Sequence, residues 1–241
     1  LLSQKMKLHH IEHKNYIGGR YSILSEVGMV PAYLMGVNIQ RFRKNLLNHF
    51  KNKNKKFLKN SSIMLTNLLK SNKFKNLIFF NYIPKLDKFL YWNQQLIAES
   101  LGKQGKGFLP LISKAPKDHH SLLQLYLDGP KDKFFTFFNS SQKESKIKIF
   151  QDIIPNNMKF LKNKNLKFII NAQCNAVKNI FKLKKIPFRQ ITFNKKNEEA
   201  LGEIFTFFVL ETILLSRLMN INPFDQPAVE QVKTETKKIL R

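Results

Sequence analysis

Three short apolar runs set the frame of this chain. They are Asn76-Leu77-Ile78-Phe79-Phe80-Asn81-Tyr82-Ile83, Lys133-Phe134-Phe135-Thr136-Phe137-Phe138 and Phe188-Arg189-Gln190-Ile191-Thr192-Phe193. A continuous run of that length, rich in Phe and Ile, suits a strand covered on both faces rather than one alternating face. Elsewhere apolar positions recur every three or four residues. That spacing predicts amphipathic helices over 39–51, around Phe42, Leu46, Leu47 and Phe50, and over 57–69, around Leu58, Ile63, Leu65, Leu68 and Leu69. It predicts further helices over 86–101, 121–127, 166–183 and 198–220. A short helix over 25–37 is punctuated by Gly28, Pro31 and Gly36, and a charged helix over 228–240 follows the turn residues Asn220, Asn222 and Pro223. Strands separated by helices imply an α/β fold: a parallel sheet with helices on both faces, ending in a carboxyl-terminal helical arm. No internal repeat is visible.

Composition narrows the class. The chain has 241 residues and is 43% hydrophobic with 22 Phe, enough for a substantial core and too much for a disordered tail. Its 42 Lys+Arg against 16 Asp+Glu give a formal charge of +26, a field that would attract phosphate backbones. The charge is spread through almost every connecting segment, as in Lys51-Asn52-Lys53-Asn54-Lys55-Lys56 and Asn163-Lys164-Asn165. A Lys, Asn, Ile and Phe bias is what an AT-rich coding sequence places at tolerant positions, so the charge reads as background. Nucleic-acid binding would want aromatics exposed among the basic residues, whereas these Phe side chains lie in strand and helix runs. The lone cysteine, Cys174, sits in an apolar helical pattern, which excludes a disulfide framework and makes a reducing, cytoplasmic setting the default. The apolar stretch 201–219 has the length of a membrane span but carries Glu203, Glu211 and Arg217, and reads as a helix in a protein core.

Ligands of open parallel sheets sit beyond the carboxyl ends of strands, which directs attention to polar residues after strands or at helix starts. Four places stand out: Gly18-Gly19-Arg20, Glu99-Ser100 with Gly102-Lys103, Asp118-His119-His120-Ser121, and Phe224-Asp225-Gln226 with Glu230 and Lys233. Arg20 offers a permanently charged fork beside approachable backbone, suited to an anionic intermediate; an arginine there can equally tie down a turn. Glu99 ends the apolar Leu96-Ile97-Ala98, where partial burial would move a carboxylate toward the range of a general base; the plainer account is a solvated helix end. His120 lies at a helix start after Asp118, a candidate N-cap, and a histidine there can shuttle protons or merely cap. Lys233 taken singly is one lysine among many. His9-His10-Ile11-Glu12-His13 has the composition of a metal site, but no further ligand set accompanies it, and no metal is expected.

Taken together and in order, these segments resemble the phosphoglucose isomerases, which interconvert glucose 6-phosphate and fructose 6-phosphate. Ile17-Gly18-Gly19-Arg20-Tyr21-Ser22 with Ser25-Glu26-Val27-Gly28 is similar to the family's first signature, and Asn222-Pro223-Phe224-Asp225-Gln226-Pro227-Ala228-Val229-Glu230 to its second. Gln94-Gln95-Leu96 through Glu99-Ser100 with Gly102-Lys103 is similar to the segment bearing its catalytic glutamate. His120-Ser121 with Gln124-Leu125 and Asp128-Gly129-Pro130 is similar to the segment bearing its histidine.

The resemblance implies that Glu99 moves a proton between C2 and C1 through a cis-enediol and that Arg20 stabilises the enediolate. It implies that His120 and Lys233 assist ring opening, while Gln226 and the backbone at Gly19 position the sugar. It implies a sugar phosphate substrate, no metal or organic cofactor, and a homodimer in which the histidine reaches the neighbouring subunit's site, with no nucleic-acid or membrane partner. It further implies a flavodoxin-like, three-layer sugar-isomerase fold: residues 1–28 as the remnant of a first such domain, 29–220 as the second, and 221–241 as the arm. The expected chain is thus the carboxyl-terminal portion of an isomerase, inactive alone because the family's Ser/Thr-rich phosphate loop lies upstream. Two departures stand out: Val232 occupies a place usually held by Gly, and Lys114-Ala115-Pro116-Lys117-Asp118-His119 replaces a Gly/Thr-rich approach to the histidine. His120 rather than His119 is chosen because Gln124 then keeps its relative place. The alternative that charge alone suggests is a basic nucleic-acid-binding or scaffold module.

Overall fold

The computed structural model of the chain describes residues 2–141, 149, 154–195 and 197–241. It divides into two compact units, Leu1–Ile63 with Asn197–Arg241 and Met64–Lys196. The boundaries expected at 28/29 and 220/221 both fall inside the first of these units.

The first unit opens with a single helical turn, α1 (Leu2–Lys5), and a 3-10 segment, Gly19–Leu24, followed by α2 (Glu26–Leu34) and α3 (Ile39–Arg43). The helix expected over 39–51 is interrupted: α3 gives way to a 3-10 turn, Leu46–Phe50, on which His49 is buried with its Nε2 on the carbonyl of Glu203 at 2.9 Å. A continued α-helix would follow periodicity alone; the interruption serves this contact with another helix. Helix α4 (Asn52–Lys70) then runs from the first unit into the second.

The second unit is a four-stranded parallel sheet. Its strands are β1 (Asn76–Asn81), β2 (Leu109–Lys114), β3 (Lys133–Ser140) and β4 (Phe188–Phe193), in the spatial order β2-β1-β3-β4. Helix α5 (Asp87–Leu101) joins β1 to β2, the short helices α6 (Lys117–Ser121) and α7 (Leu123–Asp128) follow β2, and α8 (Leu166–Leu183) precedes β4. Strand β2 has no counterpart among the apolar runs, because Pro110 interrupts it; it is an edge strand, where a missing N–H is tolerated.

Strands β1 and β3 are covered on both faces, as their unbroken apolar runs require, whereas β4, at the sheet edge, leaves Gln190 and Thr192 exposed, so the two-sided burial expected of its run does not hold. On one face Ile78, Phe80, Phe135 and Phe137 pack with Tyr126 of α7 and with Cys174, Val177 and Phe181 of α8. Phe181 meets Phe135 edge-on at 4.7 Å and Phe137 at 5.4 Å between ring centroids. On the other face Phe79 and Phe89 of α5 both pack on Phe138, at 5.9 and 6.4 Å. Such tilted and edge-on pairs add about 0.5–1.5 kcal/mol each beyond the area they bury.

The chain returns to the first unit as α9 (Glu198–Leu218) and α10 (Pro227–Ile239). Helix α9 is the buried helix that its carboxylates predicted: Glu211 is 1% exposed and accepts a 2.7 Å hydrogen bond from Ser61 Oγ. Among the described residues no helix is long and apolar enough to cross a membrane. Helices α3, α8 and α9 each begin with an asparagine, Asn38, Asn165 and Asn197, whose side chain accepts from the backbone N–H three residues on. Each such cap contributes about 1 kcal/mol.

Helices α3 and α9 touch at backbone level, because a Cβ at Gly202 would lie 1.9 Å from the carbonyl oxygen of Phe42. Gly202→Ala should therefore force the two helices apart and destabilise the fold by about 1–3 kcal/mol. A lowered denaturation midpoint at unchanged slope checks this; an unchanged midpoint refutes the close packing.

Candidate functional site

In the first unit, Gly18 is extended and Gly19 opens the 3-10 segment that carries Arg20 inward. Arg20 is 4% exposed. Its Nη2 donates to the carbonyls of Pro223 at 2.5 Å and Asp225 at 2.9 Å, and its Nη1 donates to Gln226 Oε1 at 3.3 Å. The guanidinium also lies 5.4 Å from the centre of the Tyr21 ring, which packs on Phe224 and donates its hydroxyl to the Pro223 carbonyl. The turn-anchoring role is therefore real. It is also how two segments about two hundred residues apart present Arg20 and Gln226 side by side. A Cβ at Gly18 or Gly19 would meet nothing within 4 Å, so packing does not demand either glycine.

Lys233 lies on α10, exposed, with its ammonium 2.6 Å from Glu230 Oε1. That contact with Lys233, and the ammonium charge itself, hold the Glu230 carboxyl below its usual range.

In the second unit, Glu99 occupies the last turn of α5, half-buried, and accepts from Gln95 Nε2 at 2.9 Å. Its neighbours Ser100 and Leu101 are buried, which fixes the rotation of that turn. The histidine pair separates cleanly. His119 turns inward: its ring meets Phe80 and Tyr82 edge-on, and its Nε2 is 2.7 Å from the Tyr82 hydroxyl. His120, the next residue round the helix, is exposed.

Asp118 is not the N-cap expected from the sequence; Pro116 takes that position. Instead its Oδ2 accepts from the backbone N–H of Lys114 at 2.6 Å and from Ser113 Oγ at 3.2 Å, while Oδ1 accepts from Ser121 Oγ at 3.1 Å. Asp118 thus locks α6 onto the end of β2. Tyr82 is the support that motif reading missed, a polar-tipped aromatic just beyond a buried strand being the available signal; Asp118 stood among the candidates, but as a helix cap rather than as the lock of α6 onto β2.

Strand direction decides where these residues lie. His120 follows the carboxyl end of β2, as expected for ligand-binding positions of parallel sheets. Glu99 does not: α5 runs back from the carboxyl end of β1 and delivers it near the amino end of β2. Gln94 Nε2 already donates to the carbonyl of Pro110, the second residue of that strand, at 2.7 Å. A six-residue strand is roughly 20 Å long, so Glu99 and His120 lie at opposite ends of the sheet.

The histidine-rich amino-terminal segment gathers no cation site. Among the described residues no three His, Cys, Asp or Glu converge, and His13 bonds to Ile17 O at 3.1 Å and to Glu26. The Cys174 thiol is buried and pushed up to about 11 by its surroundings.

Burial lowers the pKa of His119 below its ordinary 6.5, against the pull of Asp118. Burial also keeps the Tyr82 hydroxyl protonated, and it shares its 2.7 Å hydrogen bond with a neutral imidazole whose tautomer sets which partner donates. Because the unfolded chain takes up a proton first, this contribution is complete above 6.5 and is lost as pH falls through the lowered folded value. Denaturation midpoints between about pH 7.5 and about pH 5 should fall more steeply for the wild type than for His119→Gln. Parallel slopes would contradict the buried, neutral histidine.

No protein-family model matches the chain. Among curated proteins it is 34% identical to a probable glucose-6-phosphate isomerase of Methanococcus maripaludis, over 96% of this chain and 53% of that one. It is 34% identical to the glucose-6-phosphate isomerase of Methanocaldococcus jannaschii, over 90% of this chain and 54% of that one. The Campylobacter jejuni glucose-6-phosphate isomerase is likewise 34% identical, over 93% and 56%. Among solved structures, a hypothetical protein of Thermus thermophilus superposes with a TM-score of 0.89 at 23% identity, covering 99% of this chain and 59% of its own. A glucose-6-phosphate isomerase of Chlamydia trachomatis does so with a TM-score of 0.75 at 15% identity, covering 97% and 48%. These two likenesses bear on the fold alone. The chain is similar in sequence to glucose-6-phosphate isomerases and spans about half the length of the curated relatives it matches.

Proposed function

We propose that this chain supplies proton-transfer and enediolate-binding residues of an aldose-ketose isomerase that interconverts glucose 6-phosphate and fructose 6-phosphate, in glycolysis and gluconeogenesis. The observation that carries the reading is the Arg20–Gln226 contact, which joins the two signature segments through one buried guanidinium. Isomerisation needs a base that removes the proton from C2 and returns it to C1, and Glu99 is assigned that task. The negative charge that develops on the enediolate oxygens is assigned to Arg20, already oriented and desolvated, so little reorganisation accompanies the reaction. Gln226 and the Gly19 backbone position the sugar. The open space around Gly18 and Gly19 suits a close approach by substrate. Because the protons and electrons stay within one molecule, the reaction calls on no redox cofactor.

Ring opening is assigned to His120 and Lys233. With Glu99 and His120 at opposite ends of one sheet, a histidine that assists the same sugar comes from a second copy, which makes the enzyme a homodimer with shared sites. The exposure of His120, beside a neighbour that is tied inward, supports that role. The reading carries with it residues 1–28 as part of a first sugar-isomerase domain, 29–220 as the second and 221–241 as an arm, in a cytoplasmic protein. It also carries a phosphate-holding segment outside these 241 residues, so that the chain alone turns over no substrate.

In a polypeptide of the relatives' full length, Glu99→Gln should lower fructose 6-phosphate conversion by about 10²–10⁴-fold, with substrate binding retained. Coupling product to a dehydrogenase measures the rate. Unchanged turnover would remove Glu99 as the base. Detectable turnover by the 241 residues alone would overturn the account of the phosphate segment.

A further inference from the structure

The ring of His120 is exposed and makes no hydrogen bond among the described residues, so its aim comes from the backbone of α6 alone. A helix of five residues has little stability of its own and takes its orientation from whatever ties it down. Two ties are present. Asp118 binds the first turn to the end of β2 through the Lys114 N–H and Ser113 Oγ. A single anchored residue is a pivot, about which the helix can still rotate. The second tie, His119, removes that rotation.

The His119 ring meets Phe80 and Tyr82 edge-on, at 5.7 and 5.5 Å between centroids, and its Nε2 lies 2.7 Å from the Tyr82 hydroxyl. Tyr82 is itself held: it is 5% exposed, its ring stacks on Phe137 at 6.1 Å, and its backbone N–H donates to the Phe138 carbonyl at 2.9 Å. A leucine would pack beside Phe80 without the desolvation that an imidazole incurs there. What an apolar side chain lacks is direction: hydrogen bonds weaken steeply off axis, whereas hydrophobic contact is non-directional. Consecutive residues of an α-helix point about 100° apart, so fixing the His119 ring fixes the side from which His120 projects.

We infer that Tyr82 and His119 are positioning residues for ring opening: their hydrogen bond sets the rotation of α6 and thereby aims the His120 imidazole at the sugar. This rests on the isomerase reading of His120. Because neither side chain is assigned a contact with substrate, their loss should appear in the rate of chemistry rather than in substrate binding. Glutamine at position 119 carries an amide that can keep the bond to Tyr82; leucine cannot.

Kinetics of Tyr82→Phe, His119→Leu and His119→Gln in a polypeptide of the relatives' full length, each alone and combined with His120→Gln, test this. Tyr82→Phe and His119→Leu should lower kcat for fructose 6-phosphate about tenfold with KM within about twofold of the wild type, while His119→Gln keeps roughly half the rate or more. With His120→Gln already present, neither loss should exceed about twofold, because no imidazole is left to aim. Val177→Ala, which opens the same core on α8, should lower the denaturation midpoint and leave kcat within about twofold. Full losses that persist beside His120→Gln, a raised KM at unchanged kcat, or His119→Gln as slow as His119→Leu would overturn the positioning role. In the 241 residues themselves, Tyr82→Phe should speed amide exchange over residues 119–122 at least about tenfold. Unchanged exchange overturns the tie whatever the kinetics; faster exchange together with a wild-type rate for His120→Gln overturns instead the isomerase role of His120.

Discussion

A parallel sheet imposes one constraint on everything attached to it: each connection must carry the chain from the carboxyl end of one strand back to the amino end of the next. Whatever closes a crossover helix lies at the amino end, and whatever opens the following loop lies at the carboxyl end. Here α5 closes with Glu99, and β2 opens into Asp118-His119-His120. The strand between them sets their separation, and no side-chain rotamer recovers it. The proposed chemistry, which wants a carboxylate and an imidazole at one sugar, is then a matter of assembly rather than of local fold.

Around that constraint the structure fixes orientation with few groups. Asp118 accepts three hydrogen bonds and pins α6 to β2, while the Tyr82 hydroxyl takes His119 inward, so that its neighbour His120 faces out. In the other unit one arginine does comparable work. By donating to two backbone carbonyls and to Gln226, Arg20 closes the 223–226 turn and is itself oriented by it. Anchor and candidate oxyanion partner are the same side chain, which is the preorganisation that electrostatic catalysis draws on.

Much of this was legible in the residues. The Phe-rich runs announced buried strands because a two-sided strand needs no polar alternation; β1 and β3 fulfil that, while the 188–193 run is a strand, β4, but an edge one whose Gln190 and Thr192 face solvent. Strand β2 was not legible, since Pro110 argues against a strand unless the edge position is known. The break between α3 and the Leu46–Phe50 turn was hidden too, because it answers to a distant carbonyl on Glu203. Asparagine carried more than a coding bias: Asn38, Asn165 and Asn197 cap helices. For the site, residue types and order pointed to Arg20, Gln226, Glu99 and His120. The placement of Glu99 and His120 at opposite ends of the sheet required topology, and the supports Tyr82 and Asp118 required contacts.

The most direct test of the shared-site account is complementation between full-length Glu99→Gln and His120→Gln subunits. Each variant alone is expected to be nearly inactive. Co-refolded in equal amounts, half the dimers are mixed and one of their two sites receives an intact Glu99 and an intact His120, so about a quarter of the wild-type rate should return. A mixture no more active than its components would contradict a site built from two copies.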